Sequence, residues 1–536
     1  MDASVNQVGL PFYYRIMAIA PLGAASIGLR HAVESNPLEP GALDRVISAM
    51  SPGVIVPLPK EYCPDGLVAI GITGMGDFDP SRMLRSQPYL SALAEALDVA
   101  RSAHEKGVSH REVEETLDKL LPGNRLDCSP PERQGPGALP CPGGSGIDDL
   151  LALVDLGTDD GTPHGKDADT FIPLQRQVEE VIRQVLRRIF SSEEFRQMEA
   201  AWRGVALMFE SCRREPHAAH PVLFSLASTD LNSLPGVLEE LRNPPAPKLP
   251  NMVLVDFPLD NSIGALALLE NLLETADSLM LPVASGIGAD FLALENWKEI
   301  DRLPYLPNYL ENVRYARLKT LRKHPGAPWV TLLANRLVSR PPHTGPLRDT
   351  GVTFTESSQL WTSPVWAYGA LFALSVMEHA WPVHAGFPDK VSVSGLPLQE
   401  DEPIPLETLF SDDRIWQFNK AGITPLSARR HDDAVFLKGL FAMDGSSQEF
   451  RLFFGQLVSF LFRLQEAMST PGFDHEPDAI AMALKQFLAR GGSPAPEDLQ
   501  VSQQWVEEAR SEVLGIRFTP PKDTGLSDKI ELSLRW

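Results

Sequence analysis

Cysteine is scarce. Cys63, Cys128, Cys141 and Cys212 are the only four in 536 residues, with no CxxC pair and no histidine pair nearby at zinc spacing. That argues against a disulfide framework or a structural zinc, and fits four reduced thiols. No apolar run approaches the ~18 residues that a membrane-spanning helix needs. The N-terminus lacks a basic-then-apolar leader, so the expected location is cytoplasmic. Positive charge is also short. Lys and Arg number 48 against 70 Asp and Glu, a formal net charge of −22. This excludes binding to nucleic acid or an anionic membrane through overall charge, and leaves only a local basic groove open.

Short catalytic motifs are missing as well. There is no GxxxxGK[ST], no HExxH and no GxSxG. Gly74-Met-Gly76 and Gly286-Ile-Gly288 lack the third glycine of a dinucleotide fingerprint and read as turns. His431-Asp432-Asp433 reads as a solvated loop, because neighbours in an extended segment point to opposite faces. His379 and His384, near Trp381 and Pro382, read as core or interface histidines. No catalytic or metal residue and no cofactor is assigned. The weight moves toward assembly or binding rather than an enzyme.

What is present is apolar content of 43%, enough for packed cores, with 39 glycines and 47 prolines for long connections. The length predicts two to four domains. Pro11–Ala18 and Leu67–Ile72 predict strands, and Asp44–Met50 a helix stopped by Ser51-Pro52-Gly53. Phe78-Asp79-Pro80 leads into a helix from about Tyr89 to Ala103, with Leu90, Leu93, Ala94 and Leu97 on one face. Pro122–Gly146 holds six prolines and six glycines, the composition of a linker. Ile147–Thr170 carries seven aspartates against one lysine. Within it, Ile147–Leu156 is a short amphipathic stretch with Leu150, Leu151, Leu153 and Val154, either a presented peptide or a helix packed on its own domain.

From Gln175 the period is helical. Val178, Val181, Ile182, Val185, Leu186, Ile189 and Phe190 form one stripe. Ser191 or Ser192 caps a second helix burying Phe195, Met198, Trp202, Val205 and Phe209. Met252–Phe257, Ile263–Met280 and Leu281–Ala284 read as a βαβ unit. Val330–Val338 predicts one strand, and Arg451–Met468 a helix buried nearly all round. Arg314, Arg317, Lys319, Arg322 and Lys323 form a basic stripe on a helix with Val313, Ala316 and Leu321 turned inward, either a solvated face or a dock for an acidic neighbour. The chain closes on strict alternation, with Ile530, Leu532, Leu534 and Trp536 on one face and Glu531, Ser533 and Arg535 on the other. This strand either adds to a neighbour's sheet or closes its own; Thr519–Gly525 reads as a flexible lead-in. The fold class is α/β (α+β mixed) and multi-domain.

Phe195-Arg-Gln-Met-Glu-Ala-Ala-Trp-Arg-Gly204 resembles the FxxLExxWRGL signature of the large contractile-sheath subunit of type VI secretion systems (TssC), carried by Phe195, Glu199, Trp202, Arg203 and Gly204. Further resemblances follow in the family's order: Arg336-Leu-Val-Ser-Arg-Pro-Pro342, Phe354-Thr355-Glu356, Leu360-Trp361 with Ala367-Tyr368-Gly369-Ala370, Val393–Pro397, and Ser411–Arg414 with Ala421–Leu426. Pro342 stands where the family has tyrosine, and Leu457–Arg463 departs from its C-terminal element. Residues 1–107 more weakly resemble the small subunit (TssB). The resemblance implies a contractile tail-sheath-like architecture fusing both subunits: 1–107 small-subunit-like, 108–170 a helix plus linker, 171–448 large-subunit-like and 449–536 a C-terminal sheath domain ending in an edge strand. It implies a helical homopolymer around an Hcp-like inner tube protein, contact with baseplate proteins, and a ClpV-like disassembly ATPase that recognises the helix at 147–156. It implies neither nucleic acid nor membrane insertion. The alternative is a sheath-derived baseplate or adaptor module that forms discrete oligomers.

Overall fold

The computed structural model describes residues 12–124 and 171–535, except 25, 107, 217, 244–248, 469–476 and 507–510. The linker beyond Asn124, the segment 147–156 and Trp536 lie outside the described residues.

An eight-stranded sheet organises the chain. Its strands are β1 (Tyr14–Ala20), β2 (Val33–Ser35), β5 (Val222–Ser228), β6 (Met252–Leu259), β7 (Val283–Ile287), β8 (Val330–Ala334), β13 (Ile423–Ala428) and β14 (Val435–Leu437). The spatial order is β14-β13-β8-β7-β6-β1-β5-β2. The inner strands run parallel, and the edge strands β2 and β14 are antiparallel to their neighbours. A parallel sheet must be covered on both faces. Here alternate residues of one strand serve different cores: Ile16, Ala18 and Ala20 of β1 face one, Met17 and Ile19 the other.

The first core is built by α3 (Pro88–Lys106), α5 (Ile172–Ser191), α6 (Glu193–Arg213), α9 (Pro364–His379) and α11 (Glu449–Met468). The second holds α7 (Leu234–Arg242) and α8 (Ile263–Leu279). The predicted stripe on α5 is fully inward, since all seven of its residues are buried. Ser192 caps α6 by accepting from the Phe195 amide at 3.4 Å. On α3, Leu90, Leu93 and Leu97 are buried while Ala94 is half-exposed. The Ser51-Pro52-Gly53 stop does end α1 (Ala42–Met50), but the chain turns at once into β3 (Gly53–Pro57), paired with β4 (Leu67–Gly71) as a hairpin. The short helices α2 (Pro80–Ser86) and α4 (His110–Leu120) carry too few apolar positions for periodicity alone to find. α11 is not buried all round, because Phe450 and Phe462 are about half-exposed.

The stretch Val330–Val338 is two strands rather than one. Asn335 has φ +79°, a left-handed conformation that asparagine tolerates, and it swings the chain out of the large sheet. Its buried Nδ2 donates to Thr408 O at 2.9 Å. β9 (Leu337–Arg340) then pairs antiparallel with β12 (Leu360–Thr362). A hairpin of β10 (Thr344–Pro346) and β11 (Thr353–Thr355) lies between them. Further on, α12 (Pro477–Leu488) leads to an antiparallel sheet of β15 (Gln500–Val506), β16 (Ser511–Phe518) and β17 (Ile530–Arg535).

Two expectations follow from this layout. Asn335→Ala, which loses a buried hydrogen bond and strains the backbone, should cost about 2–3 kcal/mol; Asn335→Gly should cost less, and urea unfolding would show the difference. β1 lies between β5 and β6, so a chain cut at a protease site inserted within 125–170 should yield two fragments that co-purify under native conditions. Fragments that separate readily would contradict the pairing.

Candidate functional site

Two of the residues singled out in the sequence, Glu199 and Arg203, belong to one buried ionic node. Glu199 and Arg203 stand one turn apart on α6, and Arg203 Nε donates to Glu199 Oε1 at 2.8 Å. Arg340, at the end of β9, donates Nε to Glu199 Oε1 at 2.6 Å and Nη2 to Oε2 at 2.8 Å. The same guanidinium reaches Glu356, just after β11, through Nη1 to Oε2 at 2.5 Å. Arg196 completes the node with 2.7 Å to Glu356 Oε1 and 2.7 Å to Gln359 O. Glu199 is fully buried, and Arg340 and Glu356 nearly so. Burial alone would push the Glu199 carboxyl up, but the Arg340 and Arg203 guanidiniums outweigh it and hold it below the usual carboxylate range. Arg340 is likewise raised by its two carboxylates against the opposing effect of burial.

The rest of the α6 signature positions neighbouring elements. Trp202 donates Nε1 to Leu22 O at 2.9 Å and so anchors the segment leaving β1. Phe195 packs on Phe190 and Phe78. At Gly204 an added Cβ would lie 2.2 Å from Trp366 Cγ, so only glycine lets α6 approach α9 here. Trp366 in turn donates to Asp256 Oδ2 at 2.8 Å. Asp256 projects from β6 and makes no ion pair among the described residues, and burial pushes its carboxyl up to about 6. A cavity of about 460 Å³ opens at this end of the sheet, lined by Arg196, Asp256, Arg336, Trp361 and Ser363 among others. Its two arginines are occupied, Arg196 by Glu356 and Arg336 by Glu407 at 2.7 Å. Among the described residues no group of three His, Cys, Asp or Glu side chains could hold a metal.

The basic stripe divides. Arg322 turns inward, donating Nε to Met443 O at 2.9 Å. Arg317 meets Glu270 at 3.1 Å, and Lys319 pairs with Glu311. Arg314 and Lys323 stay exposed. The inward residues are Tyr315, Leu318 and Leu321; Val313 is 87% exposed and Ala316 is also outside, because a 3-10 turn at Val313–Tyr315 shifts the helix phase. The terminal strand pairs with β16 in the register Ile530↔Phe518, Leu532↔Ile516, Leu534↔Leu514. Ile530 is buried, Leu532 and Leu534 half-buried. The lead-in expected to be flexible is pinned: the Thr519 amide donates to Asp498 at 3.0 Å, and Asp523 accepts from Trp381 at 3.0 Å.

Residues 250–442 match a family model described as VipB: EvpB/VC_A0108, tail sheath N-terminal domain. Over these residues the chain resembles a tail sheath N-terminal domain. The matched part covers β6 to β14 and includes Asp256, Arg340 and Glu356; the signature helix and residues 1–107 lie outside it. No curated protein matches significantly. Among solved structures, the PVC sheath complex of an extracellular contractile injection system in the contracted state is 11% identical, covering 59% of this chain and 75% of that one, with a TM-score of 0.33. The anti-feeding prophage baseplate gives 10%, 63%, 76% and 0.33. The sheath tail protein Lin1278 from Listeria innocua gives 11%, 57%, 59% and 0.29.

Sequence reasoning quoted Arg340 and Glu356 within motifs but did not single them out. The available signal was a charged residue closing each apolar strand. Arg196 likewise stood inside a quoted segment, but its carboxylate partner Glu356 lies 160 residues away; Asp256, a lone acid inside an apolar parallel strand, was missed.

Glu199→Ala should leave Arg203 without its carboxylate and Arg340 with Glu356 alone, and cost about 3–5 kcal/mol; chemical denaturation measures it. Asp256 sets a pH dependence. Its folded pKa is raised above the unfolded value near 3.9, so between about pH 4 and 6 the native state binds more protons than the unfolded state. The contribution of Asp256 to stability should therefore fall as pH rises through that window. The difference in melting temperature between wild type and Asp256→Asn should change across it and be flat above about pH 7; a difference constant from pH 4 to 7 would contradict the assignment.

Proposed function

We propose that this chain is a structural protomer of a contractile, type VI secretion-like sheath, which polymerises helically around an inner tube and contracts to drive it outward. The observation that carries this reading is the tail-sheath family match over 250–442, which falls on the parallel core of the molecule. The node adds support of a mechanical kind. A lattice that switches between two packings needs protomers that move as rigid bodies, and a fully bonded buried network is stiff.

The fusion reading gains support from β1. The N-terminal portion does not stand beside the sheet but runs through it, between β5 and β6. Residues 1–107 are then the small-subunit part and 171–448 the large-subunit part of one body, with 449–536 as the C-terminal sheath domain. The partners proposed are further copies, an Hcp-like tube protein, baseplate proteins and a ClpV-like ATPase. The location proposed is the cytoplasm; among the described residues no helix is long and apolar enough to cross a membrane.

Electron microscopy of the purified protein, alone and with the inner-tube protein, tests the reading. Helical tubes are the expected result, and discrete closed particles would favour a baseplate or adaptor module instead. The proposed tie between protomers is strand addition at the β15–β17 sheet, where β17 is one of the two edge strands. Deleting 529–536 should leave a soluble folded protomer that forms no tubes. Unfolding would show that β17 serves only its own sheet, and normal tubes would show that it is not the tie. Leu151→Asp with Val154→Asp should abolish binding of the ATPase without lowering the melting temperature; undiminished binding would reject 147–156 as its recognition segment.

A further inference from the structure

Outside the node the molecule holds two guanidiniums in a different state. Arg490 follows α12, and Arg463 lies on α11. Each leaves a buried Nη2 without a hydrogen-bond partner, and neither makes an ion pair among the described residues. Arg490 Cζ lies 4.1 Å from the Phe487 ring centroid, 4.4 Å from Phe12 and 5.2 Å from Trp381, and Nε donates to Phe487 O at 3.0 Å. Arg463 sits 5.1 Å from the Phe12 ring and donates Nη1 to Tyr13 O at 3.0 Å. Asp523, which packs against Gly491, gives Oδ2 to Trp381 and keeps Oδ1 buried without a hydrogen-bond partner, and it makes no ion pair with Arg490 among the described residues. Burial pushes both guanidiniums down, Arg490 to about 9 and Arg463 to about 10. Ring faces offset part of that cost but cannot take up an N–H. Beside Arg490 opens a cavity of about 330 Å³, walled by Phe12, Phe460, Phe487 and His220.

A cation with an unmet donor at the wall of an aromatic cavity is complementary to a carboxylate. We propose that this cavity binds the Asp159-Asp160 pair of the chain's own acidic stretch, with a carboxylate on Arg490. Two observations select this occupant. Ile147–Thr170 is acidic apart from Lys166, and of its two adjacent aspartate pairs Asp148-Asp149 sits between Ile147 and Leu150, whereas Asp159-Asp160 is flanked by Gly157, Thr158, Gly161 and Thr162, small enough to enter between rings. The stretch is tethered at Phe171, whose ring stacks on His110 at 4.4 Å. Asp160 lies 11 residues before that anchor, a reach of up to about 40 Å. A chain of this length has a radius of gyration of roughly 24 Å, so the tether can cross its own protomer or pass to a neighbour.

The test places the photo-crosslinking residue p-benzoylphenylalanine at Gln486, an exposed position on the rim of the cavity, in the full-length protein. Linkage to peptides spanning 155–162 is expected. Asp159→Asn with Asp160→Asn should reduce its yield at least fivefold. Arg490→Gln should reduce it similarly, and Arg490→Lys should retain more of it and controls for folding. Isotope-mixed protein identifies the linked chain, and linkage within one copy or between copies both meet the proposal. Linkage to residues 1–11, linkage elsewhere, no linkage, or a yield unchanged in the aspartate double variant would each overturn it.

Discussion

Arg340 is held between two carboxylates that come from opposite directions along the chain, and most of the N-terminal-to-central packing depends on that clamp. Glu199 comes from α6 and Glu356 from the end of the β10–β11 hairpin, while Arg340 itself ends β9. A guanidinium presents its donors in a rigid planar fork, so meeting Glu199 through both Nε and Nη2 fixes a plane as well as a distance. A lysine could neutralise one carboxylate but could not set that orientation. Because Glu199 is fully buried, no water can replace a lost partner. The position of α6 over the sheet is therefore specified by ionic geometry in addition to apolar area.

With that position fixed, the other close contacts follow. Gly204 admits Trp366, whose indole reaches Asp256 on β6, and Trp202 reaches back to Leu22 beyond β1. α6 thus holds the segment leaving β1 and the β9–β12 ribbon directly, and reaches β6 through Trp366 of α9. Both faces of the central sheet are covered by helices, which leaves free strand edges at β2, β14, β15 and β17, and the β3–β4 hairpin exposes Ile55 and Leu67.

Elements with a strong single period were legible in the sequence. The α5 stripe, the Ser192 cap, the β6–α8–β7 unit and the alternation of β17 follow from side-chain spacing, because burial on one side imposes that spacing. The break at Asn335 was not legible. An apolar run reads the same whether one strand continues or the chain turns out of the sheet, and the turn is decided by a hydrogen bond to Thr408, 73 residues away. The node was half-legible. Its residues stood in recognisable segments, but the pairing of 199 with 340 is a fact of tertiary contact that no local pattern encodes. The basic stripe failed by one turn of 3-10 geometry at Val313–Tyr315, enough to exchange inward and outward positions.

The charge distribution limits how copies of this chain can meet. A net charge of −22 makes two copies repel at long range, but the Debye length is about 8 Å at physiological ionic strength. Beyond that distance the total matters little, and assembly is decided by the few residues in contact. Cations concentrated at an exposed apolar point are then worth more than their number suggests. Ile263 and Val313 are 82% and 87% exposed, on segments joined where Arg317 donates to Ile263 O and Asn261 to Arg314 O. Arg314, next to Val313 in the chain, is exposed there, on a molecule whose net charge is −22. Such a corner can bury apolar surface against an acidic neighbour, whereas a contact between two acidic faces would desolvate like charges with nothing to offset them.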